Sequence, residues 1–204
     1  MSDRDLWENI LQDPIWMLEL YASGAFPMAP DKESDTVHWF QPDERCIIPL
    51  DSFNIPRSVK KLLKENIFTI KYDKDISGII SGCAGRKQTW ISGKLIDAYK
   101  RIEKLGFLHS VEAYSGGALA GGLYGISIGK AFFGESMFSV KPGASKVALA
   151  SLLDHLKKRG YVILDVQYMT EHLAMFGAKM ISMEEYNGMI KEAIKEDGEM
   201  HWFG

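Results

Sequence analysis

Cysteine is scarce in this sequence: Cys46 and Cys83 are the only two among 204 residues. They lie far apart, with no CxxC and no Cys/His cluster around them, which excludes a disulfide framework and gives no sign of a zinc site. Each reads as a small buried apolar side chain. Long hydrophobic runs are missing too. Nothing approaches the roughly 20 apolar residues of a membrane-spanning helix. The opening stretch MSDRDLWENILQDP carries acids where a secretory signal would carry a basic segment, so a cytoplasmic protein without a membrane anchor is expected. A surplus of positive charge is also lacking. The formal net charge is −3, whereas a general nucleic-acid binder relies on clustered Lys and Arg; any contact with phosphate has to be local. There is no GxSxG, no P-loop, no HExxH and no close Ser/His/Asp set, and the five histidines are scattered.

What remains is the composition of an ordinary folded protein, 46% hydrophobic and 25% charged, enough for one or two modest cores. Residues 2–11 and 15–22 read as short helices, the second closed by Gly24 before a kinked Phe26-Pro27-Met28. The stretch 37–53 is strand-like and broken by turns, with Pro42 and Pro49 among aromatic and β-branched residues. Asn54-Ile55-Pro56 opens a helix over 57–65. A strand at 68–72, a short helix at 76–83 and a helix at 93–105, stopped by Gly106, come next. Strands at 107–114, 118–128 and 131–139 follow, joined by turns at Ser115-Gly116-Gly117 and Gly129-Lys130. Then come a helix over 145–158 with Ser145 as its N-cap, a strand over 161–168, a helix at 171–176, a strand at 179–181 and a helix over 183–195. This order predicts an α+β protein: a small α+β domain over 1–85, then over 86–204 a mixed-sheet domain with the element order of a GNAT-like (acyl-CoA N-acyltransferase-like) fold. No Pro- or Ser-rich linker marks the division.

In the strand 161–168, Asp165 and Gln167 stand two apart among apolar residues and are expected on one face. Either they satisfy neighbouring backbone, as buried polar groups do, or they line a cavity where an amine is held and deprotonated. Along 131–139, Phe133, Glu135, Met137 and Ser139 alternate with Phe132, Gly134, Ser136 and Phe138. Glu135 is thereby stranded among aromatics, and pairs with a cation, binds backbone N–H groups or carries a raised pKa. Glycines at 116, 117, 121, 122, 125, 129 and 134 leave this sheet bare, for tight hairpins or for close approach by a ligand. The helix start at Lys141-Pro-Gly-Ala-Ser-Lys146 suits a phosphate, yet lacks the Q/R-x-x-G-x-G/A signature of coenzyme A acetyltransferases. Arg57, Lys60, Lys61 and Lys64, at i, i+3, i+4 and i+7, put cations opposite Val59, Leu62 and Leu63. Such a stripe is a solvated face or a phosphate-binding one. His38 and His109 read as structural, and His172 stays a candidate because it follows the Asp165/Gln167 strand closely.

Taken together, these segments resemble the leucyl/phenylalanyl-tRNA–protein transferase family. The match is carried by Tyr21-Ala-Ser-Gly-Ala-Phe-Pro-Met28, Trp39-Phe-Gln-Pro-Asp-Glu-Arg45, Pro56-Arg-Ser-Val-Lys-Lys61, Thr89-Trp-Ile-Ser92, Leu105-Gly106 and His109-Ser-Val-Glu112. It continues through Gly121-Gly-Leu-Tyr-Gly125, Gly134-Glu-Ser-Met-Phe-Ser139, Ala144-Ser-Lys146 and Leu164-Asp-Val-Gln167. The resemblance implies a GNAT-like C-terminal domain that takes the 3′ end of leucyl- or phenylalanyl-tRNA. It implies transfer of the amino acid to the α-amino group of proteins beginning with Arg or Lys, which marks them for degradation as N-degrons. A pocket of Met28, Trp90, Leu123, Met137, Leu152 and Leu156 would hold the amino acid side chain. Glu135, Asp165 and Gln167 would surround the reacting ester and the incoming amine. Arg57, Lys60, Lys61, Lys64 and Lys146 would contact the tRNA. Neither metal nor coenzyme is implied, and a monomer is expected. The chemistry agrees: aminolysis of an activated ester needs a neutral amine about 3 Å from the carbonyl and hydrogen bonds for the developing oxyanion, and no covalent nucleophile.

Two positions depart from the family pattern, which often has Trp where Met28 stands and Met where Leu123 stands. The pocket is then built from adaptable aliphatic groups, leaving leucine, phenylalanine and methionine all open as substrates. The chain also opens close to the first motif, so an abbreviated N-terminal unit is expected. Two other readings stand beside this one: another GNAT-like acyltransferase using acyl-CoA or aminoacyl-tRNA, and a non-catalytic module whose aromatic groove holds hydrophobic N-termini.

Overall fold

The computed structural model describes residues 10–195; most of the helix expected over 2–11 lies outside the described residues. In chain order the described helices are α1 (Pro14–Ala22), α2 (Arg57–Lys64), α3 (Ile76–Ala84), α4 (Gly93–Lys104), α5 (Ala144–Lys158), α6 (Glu171–Ala174) and α7 (Met183–Lys195). The strands are β1 (Phe26–Met28), β2 (His38–Phe40), β3 (Glu44–Ile48), β4 (Thr69–Tyr72), β5 (Leu108–Ser115), β6 (Ala118–Ile128), β7 (Ala131–Ser139), β8 (Ile163–Gln167) and β9 (Lys179–Ser182).

Asp13 starts α1 by accepting the Ile15 N–H at 2.9 Å, and Pro14 sits in the first turn, where a missing N–H costs no helical bond. Gly24, at φ +87°, turns the chain into β1. This segment, expected as a kink, pairs antiparallel with β2, Phe26 opposite Phe40 and Met28 opposite His38. Pro27 is tolerated there because the ribbon has two strands and every strand in it is an edge.

The other strands form one seven-stranded sheet in the order β4-β5-β6-β7-β8-β3-β9. Glycines of positive φ at 116, 117 and 129 make the turns between β5, β6 and β7. Among the described residues β7 and β8 form the parallel pair, with α5 as the crossover between them. That is the strand–helix–strand order behind the GNAT-like expectation. β3 lies between β8 and β9, antiparallel to both. Strands from both sides of residue 85 therefore share the sheet, and no break in its pairing falls there.

Helices α1, α3, α4 and α7 cover one face, burying Tyr21, Ile79, Ile80, Leu95, Tyr99 and Tyr186. Helices α2, α5 and α6 cover the other through Val59, Val147, Leu149, Leu153 and Leu173. Two local expectations give way. On α2 only Val59 is fully buried and Leu63 is 38% exposed, because the helix rests on α5 along a narrower strip than its apolar spacing suggests. Helix α5 begins at Ala144 behind Gly143 at φ +87°, and Ser145 does not cap it. Instead the Ser145 N–H donates at 2.9 Å to Oγ of Ser139, at the end of β7, so strand and helix are joined through the cap.

Candidate active site

Pairing between β7 and β8 runs only from Ala131/Ile163 to Phe133/Asp165. Beyond it the strands part, and a cavity of about 310 Å³ occupies the wedge. Gly134 to Met137 line it from β7, Leu164, Val166 and Gln167 from β8, and Leu123 and Tyr124 from β6. Leu149 and Leu152 of α5 close one side, and Phe26, Met28, Arg86 and Trp90 the other.

A bulge on each wall sets which side chains enter. Tyr124 pairs with Ser136 and Gly125 with Gly134, so Glu135 is an extra residue on β7. Cys46 pairs with Gln167 and Ile47 with Asp165, so Val166 is extra on β8. Each bulge advances the side-chain alternation by one. Glu135 and Met137, expected on one face, therefore part: Glu135 bonds Tyr99 of α4, and Met137 packs with the α5 side of the core. Asp165 and Gln167 part as well. Gln167 adopts φ +58°, a conformation costing roughly 1–3 kcal/mol for a residue with a side chain. Gln167 lines the cavity while Asp165 does not.

Asp165 is fully buried and its carboxylate is engaged. The Nε of Arg45 donates to both carboxylate oxygens at 3.0 Å, and Nη2 to Oδ2 at 2.8 Å. The Tyr186 hydroxyl donates to Oδ2 and the Gln167 backbone N–H to Oδ1, each at 2.8 Å. Arg45, also 0% exposed, donates through Nη1 to the Gly24 carbonyl at 2.8 Å. Its guanidinium carbon lies 4.4 Å from the Phe26 ring centroid and 5.0 Å from that of Tyr186. Burial works to discharge Arg45, and the adjacent Asp165 carboxylate outweighs it, leaving the pKa above its ordinary value. Burial, reinforced by Asp165, pushes the Tyr186 phenol far up, so it remains a donor. Asp165 is thus placed to fix the Gln167 backbone, and its oxygens are not open to an amine in the cavity.

Glu135 is in a different state. Its Oε2 accepts from the Tyr99 hydroxyl at 2.6 Å, and that hydroxyl lies 3.4 Å from the one on Tyr21. Burial pushes the carboxyl from the ordinary 4.5 up to about 7, against the Tyr99 and Tyr21 hydroxyls, which pull it down. Burial also raises Tyr21, Tyr99 and Tyr124 well above the usual phenol range. Three buried polar atoms at the cavity have no partner among the described residues: Glu135 Oε1, the Tyr124 hydroxyl and the Gln167 side-chain nitrogen. Buried polar atoms are rarely left unpaired. All three residues line the same mostly apolar cavity, so their unfilled acceptor and donors mark the stretch of wall suited to the polar end of a ligand.

Of the expected side-chain pocket, Met28, Trp90, Leu123, Met137 and Leu152 line the cavity. Leu156 does not; it is 0% exposed in the core beneath α5, and Leu149, one turn before Leu152, takes its place. The resemblance names both Leu152 and Leu156 for the pocket; Leu152 lines the cavity and Leu156, a turn further along α5, lies in the core. Arg57, Lys60, Lys61 and Lys64 are exposed, with Lys61 3.7 Å from Glu65. Leu62 of the same helix meets Gly143, three residues before Lys146, so the cationic helix flanks the start of α5. His172 lines the cavity, His38 is exposed, and His109 lies 2.8 Å from Asp73. Cys46 and Cys83 are buried as expected, and burial lifts their thiols to about 11 and about 12, far from nucleophilic thiolates. Among the described residues no cluster of His, Cys, Asp and Glu is placed to hold a metal, and no helix is long and apolar enough to cross a membrane.

Several site residues escaped sequence reasoning. Arg45 had a signal: it is the lone cation in the apolar run Arg45-Cys-Ile-Ile48, matching the lone acid in Ile163-Leu-Asp165. Tyr99, Tyr124 and Tyr186 had none, since their spacing is that of core residues.

The profile of a family described as leucyl/phenylalanyl-tRNA protein transferase matches residues 47–191, and that of its N-terminal domain matches residues 13–43. A leucyl/phenylalanyl-tRNA–protein transferase of Ruegeria sp. is 44% identical over 183 residues, covering 90% of this chain and 87% of that protein. One from Maricaulis maris is 44% identical over 182 residues, covering 87% of this chain and 84% of that protein. Among solved structures, L-PGS from Bacillus licheniformis overlaps with a TM-score of 0.45 at 12% identity, over 86% of this chain and 60% of its own. An overlap that loose does not bear on what this chain does.

Two consequences of the geometry can be measured. Arg45→Met strands a buried carboxylate and is expected to cost about 3–5 kcal/mol in urea unfolding, with most of it recovered in Arg45→Met/Asp165→Leu, where both charges are gone. The raised Glu135 pKa favours the protonated form in the folded state, so the native protein holds a proton there that the unfolded chain releases above about 4.5. Stability from this group is greatest below that value and is lost as pH rises toward about 7. Unfolding midpoints measured across that window should fall in the wild type relative to Glu135→Gln; parallel profiles would refute the raised pKa.

Proposed function

The chain belongs to the leucyl/phenylalanyl-tRNA–protein transferase family, and from that premise we propose that it moves leucine, phenylalanine or methionine from aminoacyl-tRNA to the α-amino group of proteins beginning with Arg or Lys, marking them for degradation. Family membership makes it an aminoacyltransferase; the acceptor class and the amino acid range are our reading. The observation that carries this reading is that Glu135, Tyr124 and Gln167, each with a buried polar atom lacking a partner, all line one apolar cavity. At about 310 Å³ the cavity is at the lower end of the roughly 300–1,000 Å³ of small-molecule sites, a size for one amino acid and its ester. The alternation-breaking bulges supply both walls with the polar groups the reaction needs.

In this reading Met28, Trp90, Leu123, Met137, Leu149 and Leu152 surround the transferred side chain. Gln167 donates its amide N–H to the ester carbonyl as that oxygen gains charge. Glu135, its pKa close to neutrality, takes the proton that the acceptor amine loses on attack. A C–N bond forms at the carbonyl carbon, the bond from that carbon to the ribose oxygen breaks, and the departing ribose oxygen collects a proton. Asp165 contributes by holding Gln167, with Arg45 holding Asp165. Lys146 and the α2 cations Arg57, Lys60, Lys61 and Lys64 meet the tRNA backbone. Met28 and Leu123 make a flexible wall, which favours an unbranched or leucine-like side chain over a strict ring slot.

Incubation with leucyl-tRNA carrying labelled leucine and a peptide beginning with Arg is expected to label the peptide. An unlabelled peptide under conditions where the tRNA stays charged would overturn the proposal, and acetyl transfer from acetyl-CoA would replace it. Gln167→Ala should lower kcat by about 100-fold with little change in tRNA affinity. Lys60→Glu/Lys61→Glu should instead weaken tRNA binding and flatten its salt dependence by about 0.7–0.9 for each phosphate no longer neutralised.

A further inference from the structure

Arg86 is the cation on the cavity wall that the proposed reaction leaves unused. It follows α3 directly, after the Gly85 cap, in the short segment leading to Trp90, and its side chain lines the cavity beside Trp90 and Ser136. Its Nε donates to the Cys83 carbonyl at 3.0 Å, and its Nη2 to Oγ of Ser136 at 3.0 Å. Both acceptors are neutral. Among the described residues Arg86 has no carboxylate partner, unlike Arg45, whose charge is taken up by Asp165. The guanidinium fork is therefore fixed in direction by two bonds, and its charge faces solvent with no carboxylate beside it. A planar, oriented guanidinium with N–H groups to spare is the side chain best suited to a phosphate.

Its position says which phosphate. Ser136, which holds Nη2, is the next residue along β7 after Glu135, about 3.3 Å further by strand rise. Arg86 thus stands just outward of the carboxyl assigned to the reacting amine, on the same wall, within one nucleotide's reach of the ester. An aminoacyl ester seated with its side chain against Leu123 and Leu152 and its carbonyl at Gln167 runs its ribose outward along this wall. We propose that Arg86 binds the 5′-phosphate of the terminal nucleotide, the phosphate next to the ester-bearing ribose, and so fixes how deeply the aminoacyl group enters. This rests on aminoacyl-tRNA being the donor. The interaction differs in kind from those assigned to α2 and Lys146: it acts at the last nucleotide, and it sets register at the reacting bond.

Donors that differ in this one phosphate test the assignment. The wild type, Arg86→Met and Arg86→Lys are compared for transfer of leucine to an Arg-initiated peptide from the leucyl ester of adenosine, which has no phosphate, from the leucyl ester of the dinucleotide CpA, which has the one in question, and from leucyl-tRNA. The wild type is expected to use leucyl-CpA better than leucyl-adenosine. Arg86→Met should lower kcat/KM for leucyl-CpA and leucyl-tRNA by about tenfold to hundredfold, the range for removing a charged hydrogen bond, and leave leucyl-adenosine within about twofold. Arg86→Lys should recover part of the activity. Equal reductions on leucyl-adenosine and leucyl-CpA would assign Arg86 to holding β7 and overturn the proposal, as would no reduction on either. No transfer by the wild type from any donor would overturn the aminoacyl-tRNA reading and this inference with it. Transfer by the wild type combined with equal reductions in Arg86→Met removes the inference alone.

Discussion

Arg45 is fully buried, so its N–H groups have to be met by protein, and the partners it finds come from distant parts of the chain. Asp165 of β8 takes three of its hydrogen bonds, the Gly24 carbonyl takes another, and the rings of Phe26 and Tyr186 stand over the guanidinium. One side chain thus joins β3 to β8, to the turn that starts β1, and to α7. Desolvating two charges is expensive, and such a pair is held only where the geometry is good and the remaining donors and acceptors are filled. Here they are filled, by Tyr186 and by the Gln167 N–H. The latter bond ties the buried pair to the cavity, because Gln167 sits in a left-handed conformation that the chain would otherwise leave.

The cavity is a consequence of how two strands separate. Parallel pairing holds β7 to β8 for three residues on each and then ends. On its far side β8 stays bound to β3, with a bulge at Val166, and β7 stays bound to β6, with a bulge at Glu135. Each strand follows its outer neighbour, so the wedge opens between them, closed on one side by α5 and α6 and on the other by β1 and the segment of Arg86 and Trp90. A bulge bends and twists its strand, and one on either side of a wedge both widens it and re-aims the polar groups. The same device explains why an acid, a phenol and an amide reach one apolar space without sharing a strand face.

What could be read from the sequence follows this division. Local signals carried the fold: glycine turns at 116–117 and 129–130 delimit β5, β6 and β7, and apolar spacing marked α4, α5 and α7. The pocket residues of α5 came from the family resemblance, and of these Leu152 lines the cavity while Leu156 lies a turn too deep. Non-local facts were hidden. Nothing in Glu44–Ile48 says that it pairs with residues more than a hundred positions later, and a division at residue 85 cannot register a sheet that crosses it. Strict alternation put Asp165 beside Gln167 and Glu135 beside Met137, since a bulge is a decision made by the partner strand. The Ser139–Ser145 bond is hidden for the same reason: Ser145 looks like a cap in sequence, and the oxygen that accepts the bond belongs to the preceding strand.

The buried pair also acts on the group beside it, though less than burial does. Glu135 feels both of its members, Asp165 raising its pKa and Arg45 lowering it. Bonded to each other, the two charges oppose at Glu135, and burial remains the largest influence, bringing the carboxyl to about 7. That is the range in which a carboxyl can both hold and take a proton under neutral conditions. An apolar pair of the same volume would join β3 to β8 at lower desolvation cost, but it would offer no acceptor for the Gln167 N–H and no balanced field at Glu135. What the charged pair does that an apolar one could not is hold the Gln167 backbone at the cavity wall.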